Sequence, residues 1–76
     1  MAQHTTTART LGRFIQSERE RQAISQKALA ERAGLSRGHV SLIEHGQRVN
    51  LQPTTFLKLA AALGVPVSAL MLLPTE

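Results

Sequence analysis

Arg37, Gly38, Ser41 and Leu42 share one arc of the segment RGHVSLIEH if that segment is helical, because successive residues turn by about 100°. Val40 and Ile43 then point the other way. The chemistry on the outward arc is specific. A guanidinium offers two parallel donors to an acceptor pair such as O6 and N7 of guanine. A glycine lets a backbone approach a partner closely. A hydroxyl both donates and accepts, and a leucine can meet a thymine methyl. His39 falls between the two arcs, suited equally to partial burial and to a phosphate contact.

The chain is cationic around these residues. Nine Lys and Arg stand against five acids, and all nine cations lie between Arg9 and Lys58, accompanied by four of the acids. Such a balance points to an acidic partner, nucleic acid or anionic lipid. Lys27, Arg48 and Asn50 are suited to anchor a phosphate backbone. Ser25 and Gln26 open another helical segment, whose N-terminus favours an anion.

Other chemistries fail. There is no cysteine, hence no disulfide framework, zinc finger or thiol nucleophile. His39 and His45 are six positions apart and face different ways, so they do not form a metal pair. No acidic pair with a base and no phosphate-cradling glycine loop is present, so no enzyme, cofactor or metal is expected. Aromatic residues are only 3%, too few to stack single strands. No apolar run approaches the ~20 residues that span a bilayer, and MAQHTTTART lacks the apolar run of a signal peptide. A cytoplasmic location is expected.

The elements that must position the arc read as helices. The apolar residues are mostly Leu and Ala, with few Val and Ile, which favours helix over strand. Residues 1–9 are polar and aperiodic and read as a flexible tail; 10–76 read as one small domain. Thr10 offers an N-cap to a first helix over 11–21. Ser25 caps a second, QKALAERA, which Gly34 closes in the left-handed conformation. Ser36 caps a third over 37–45, ended by Gly46. After the polar loop QRVNLQ, Pro53 suits the first position of a fourth helix, which Gly64 stops. A fifth covers 67–72, and Pro74 ends it. The fold class is all-α.

Only Gly34-Leu35-Ser36 separates the second and third helices, so they must cross steeply, as in a helix-turn-helix. The spacing rules of that motif hold. Ala30 is small where the helices meet, Gly34 supplies positive φ four residues later, and Val40 plugs the angle six residues on. Leu29, Ala33, Leu35 and Ile43 complete an apolar wedge beneath.

SQKALAERAGLSRGHVSLIEHG, with these residues in place, resembles the lambda-repressor/Cro-type helix-turn-helix (XRE family). RFIQSERERQAIS is similar to that family's first helix, and TFLKLAAALGVPVSALM to its fourth and fifth, so the likeness spans about 11–72. The short form is similar to restriction–modification controller proteins. The loop QRVNLQP is one residue longer than the commonest family form and lacks its early proline. The resemblance implies a compact five-helix domain whose third helix enters the major groove, with Ser36, Arg37, Gly38, His39, Ser41 and Leu42 at the DNA and Ser25, Gln26, Lys27, Arg48 and Asn50 on the backbone. It also implies that Arg19 pairs with Glu44, which lies at the core edge where an unpaired carboxylate is costly.

The expected function is sequence-specific binding of double-stranded DNA by a transcriptional regulator, a dimer on a near-palindromic operator, of the controller or phage-repressor kind. A bacterial or phage origin and association with the nucleoid follow from the resemblance. The alternative is an antitoxin or adaptor module with a protein partner. No small-molecule effector site is evident. The apolar residues after Gly64 exceed what five short helices can cover, which predicts a homodimer seam with Leu70 at its centre and Val67 and Met71 around it.

Overall fold

A computed structural model describes residues 8–46 and 52–71, with side chains described over 10–46 and 52–70. The helices are α1 (Ala8–Arg21), α2 (Gln26–Ala33), α3 (Arg37–Glu44), α4 (Pro53–Leu63) and α5 (Val67–Met71). No strand occurs among the described residues.

Three of the helices end with one device. The N–H two residues past the helix reaches back to a carbonyl five residues earlier: Ile24 to Arg19 (3.2 Å), Leu35 to Ala30 (2.9 Å), Val65 to Ala60 (3.0 Å). In each, the residue just before the donor adopts positive φ, which satisfies carbonyls the helix leaves unpaired. Gly34 (φ 70°) and Gly64 (φ 71°) do so at no steric cost, whereas α1 uses Ala23 at φ 59°. Ile24, Leu35 and Val65 then pack against the core.

The start of α1 differs from expectation. It begins at Ala8 rather than at residue 11, so Thr10 lies inside the first turn instead of capping it. Nothing in Ala8-Arg9-Thr10 breaks a helix, and Ala and Arg are good helix formers. The first seven residues of the expected tail lie outside the described residues. At its other end, α3 stops at Glu44, with His45 as the cap residue.

The core is assembled from all five helices: Leu11 and Ile15 of α1, Leu29, Ala30 and Ala33 of α2, Val40 and Ile43 of α3, Leu59, Ala60 and Leu63 of α4, and Leu70 of α5. Each fully buried Leu, Ile or Val contributes about 1.5–3 kcal/mol. Two contacts fix α1 on this core. A Cβ at Gly12 would lie 2.7 Å from the Glu44 carbonyl oxygen and closer still to that of Ile43, so only glycine lets α1 approach the end of α3. The Gln22 amide donates to the Leu63 carbonyl at 2.7 Å and so satisfies a carbonyl at the end of α4.

Candidate nucleic-acid interface

The turn between α2 and α3 works through its two serines and its glycine. Ser25, in extended conformation, accepts the Ala28 N–H at 3.0 Å and starts α2. Ser36 does the same for α3 through the His39 N–H, also at 3.0 Å. Both hydroxyl oxygens are therefore engaged in capping, and their hydrogens remain to donate outward. Ala30 and Val40 are buried where the helices meet.

With Val40 and Ile43 held in the core, the opposite arc of α3 is turned to solvent. Arg37 and Gly38 are exposed, Ser41 and His39 are half-buried, and Leu42 is 48% exposed. A Cβ at Gly38 would meet nothing within 4 Å, so the fold itself has no need of glycine there. Lys27 is exposed on α2. Arg48 and Asn50 lie outside the described residues.

Behind this arc, Glu44 gathers three donors. Arg19 Nε lies 2.7 Å from Glu44 Oε2 and Arg19 NH2 3.1 Å from Oε1. Gln26 Nε2 donates to Oε1 at 3.0 Å. The third guanidinium nitrogen of Arg19 donates to the Ile24 carbonyl at 2.9 Å. The pair is enclosed, with 13% of the Arg19 side chain and 2% of that of Glu44 exposed. The hydrogen bond to Glu44 raises the Arg19 pKa above its ordinary value against the opposing effect of burial, so the guanidinium stays charged. Gln26, read from sequence as a backbone contact, is thus turned inward. No spacing signal links it to a carboxylate eighteen positions away.

The expected centre of the dimer seam is corrected. Leu70 has no exposed surface and belongs to the core of a single chain. The fold covers it because α5 folds back on α4 after Gly64. Val67 is half-buried against the same core, and the Met71 side chain lies outside those described. The exposed apolar surface is on α4 instead: Leu57 is 55% exposed, flanked one turn either way by exposed Thr54 and Ala61. Its position on the polar side of an otherwise core-facing helix was the available signal.

A steep helix pair with a solvent-facing cationic arc, braced by a third helix and closed by two more, defines a helix-turn-helix domain of the lambda-repressor type. Residues 15–70 match the family described as Helix-turn-helix, and the chain belongs to it. Among solved structures it is similar to the restriction-modification controller protein C.AhdI from Aeromonas hydrophila, with 35% identity over 83% of this chain and 94% of that one and a TM-score of 0.77. It is similar to SinR, the master regulator for biofilm formation, in complex with DNA (32% identity, 79% of this chain and 95% of that one, TM-score 0.73). It is also similar to the P22 c2 repressor in complex with a synthetic operator (27% identity, 79% and 89%, TM-score 0.72). No curated protein matches the chain.

Proposed function

We propose that the chain is a sequence-specific transcriptional regulator of double-stranded DNA that binds a near-palindromic operator as a homodimer, in the manner of a restriction–modification controller or phage-type repressor. The observation that carries this reading is the outward arc of α3. Its exposed Arg37 stands at the start of the helix, and Gly38 serves no need of the fold. The N-terminal end of such a helix is the part that reaches base edges. Two relatives of the same fold are in complex with DNA, which supports the same assignment. Arg37 reads a guanine, Ser41 and Leu42 read neighbouring bases, and Lys27 with the N-terminus of α2 holds phosphate. Arg48 and Asn50 belong to the same backbone set. The partner copy docks through α4 and α5 around exposed Leu57 and half-buried Val67.

Selection from a random duplex library tests this. Enrichment of two inverted half-sites about one helical turn apart is the expected outcome, with affinity that falls as salt rises. A library that shows no enrichment, and binding indifferent to salt, would point to a protein partner instead.

A further inference from the structure

One more polar side chain lies on the arc of Arg37 and Ser41. His45, the cap residue of α3, is exposed. Positions 37, 41 and 45 recur about once per turn and so line one side of the helix. The ring is held: Nδ1 lies 2.7 Å from the Ser41 carbonyl oxygen and 3.5 Å from Ser41 Oγ. A carbonyl can only accept, so Nδ1 carries the hydrogen and donates it. The neutral ring therefore keeps its lone pair on Nε2. In that state Nε2 would meet a phosphate oxygen lone pair to lone pair. Only the imidazolium has an Nε2–H to give.

We infer that His45 is a proton-gated phosphate contact beside the base-reading arc, silent when neutral and binding one phosphate when charged. The inference rests on the DNA reading above. The position suits a cation, because the unpaired carbonyls at the end of α3 carry partial negative charge. The neighbouring charges do not oppose it. On α3, Arg37 lies two turns away, His39 lies between the arcs, and the Glu44 carboxylate is turned inward onto Arg19 and Gln26. From α1, Gly12 makes the contact with this end, and exposed Arg13 follows it; Glu18 and Glu20 lie towards the far end, beside Arg21 and Arg19. From α2, neutral Gln26 reaches this region, while Lys27, Glu31 and Arg32 are exposed.

The test is fluorescence anisotropy with a random-sequence duplex of roughly two helical turns, at constant ionic strength, on either side of the usual histidine pKa of about 6.5. The wild type should bind about ten-fold tighter on the acid side, the worth of one charge-assisted hydrogen bond. His45→Ala should abolish that rise, while His39→Ala and His4→Ala keep it. His45→Lys should bind at alkaline pH as the wild type does in acid. On the acid side, the log–log salt slope of the wild type should exceed that of His45→Ala by about one. A rise that survives His45→Ala, or a wild type that binds DNA equally at both pH values, overturns the inference. A wild type that binds no duplex at either pH overturns the DNA reading itself. Independently of DNA, nitrogen-15 NMR of the neutral ring should show the hydrogen on Nδ1; a hydrogen on Nε2 overturns the gate.

Discussion

Arg19 and Glu44, twenty-five positions apart, are joined by two hydrogen bonds at 2.7 and 3.1 Å, and this pair ties α1 to the helix that carries the solvent-facing arc. Gln26 adds a third bond from α2, so three helices meet at one carboxylate. Among the described residues no buried side-chain polar atom lacks a partner. Removing one member of such a pair strands the other charge and costs about 3–5 kcal/mol, against a total of roughly 5–15 kcal/mol for a whole domain. Arg19→Ala and Glu44→Ala should each melt far below the wild type in thermal scans. Gln26→Ala should fall less, by about 1–3 kcal/mol, the value of a hydrogen bond to a charged group. A wild-type melt from either charge deletion would show that the pair contributes nothing.

Two helical glycines should respond to alanine with opposite signs. Helix propensity alone favours Ala over Gly by about 1 kcal/mol. At Gly38 nothing opposes that gain, so Gly38→Ala should raise the melting temperature while weakening DNA binding, because the added methyl holds the backbone off its partner. At Gly12 the methyl would run into backbone carbonyls of Ile43 and Glu44. Overpacking costs about 1–3 kcal/mol or more, so Gly12→Ala should melt lower. Equal shifts in the two variants would show that α1 can move aside freely.

Ala23 occupies a position that glycine fills in the equivalent turns after α2 and α4. A Cβ in the left-handed region costs about 1–2 kcal/mol, part of which Gly gives back through the greater freedom of its unfolded chain. Ala23→Gly should therefore stabilise by about 1 kcal/mol, a rise of several degrees in a domain of this size. Urea denaturation followed by circular dichroism would show an unchanged midpoint if the turn relaxes without strain.

Base reading and backbone holding should separate by salt. Arg37→Ala should cost about 1–3 kcal/mol on the selected operator and relax specificity at one base pair per half-site. Lys27→Ala should weaken operator and scrambled duplex alike and reduce the log–log salt slope by about one. If Arg37→Ala instead weakens both duplexes equally, Arg37 is a phosphate anchor, and specificity rests on Ser41, Leu42 or DNA shape.

The proposed dimer turns on Leu57. Leu57→Asp places a charge on the exposed side of α4 without entering the core, so the monomer fold should persist while sedimentation shows loss of the dimer and operator affinity drops. Leu70→Asp should instead unfold the chain, since that side chain is fully enclosed. A wild type that sediments as a monomer at tens of micromolar removes the dimer from the proposal.

The sequence by itself determined the local grammar. Ser25 and Ser36 as caps, Gly34 and Gly64 as left-handed stops and Pro53 at a helix start are signals read within four or five residues, where hydrogen-bonding and φ preferences act directly. The periodicity of α3 likewise separated Val40 and Ile43 from Arg37 and Leu42, because burial follows the helical repeat. Tertiary structure decided what depends on distant neighbours. Gly12 looks like a weak helix residue until the carbonyls of Ile43 and Glu44 arrive beside it. Gln26 looks like a surface amide until the fold brings Glu44 within 3.0 Å. Leu70 looks like surplus apolar surface until α5 folds back and encloses it. Nothing local marks Ala23 as left-handed: the contact of Ile24 with the core and the carbonyls of Arg19 and Glu20 hold it there. Caps and turns are short-range and residue-specific, whereas close approach, enclosure and charge pairing exist only once the helices have met.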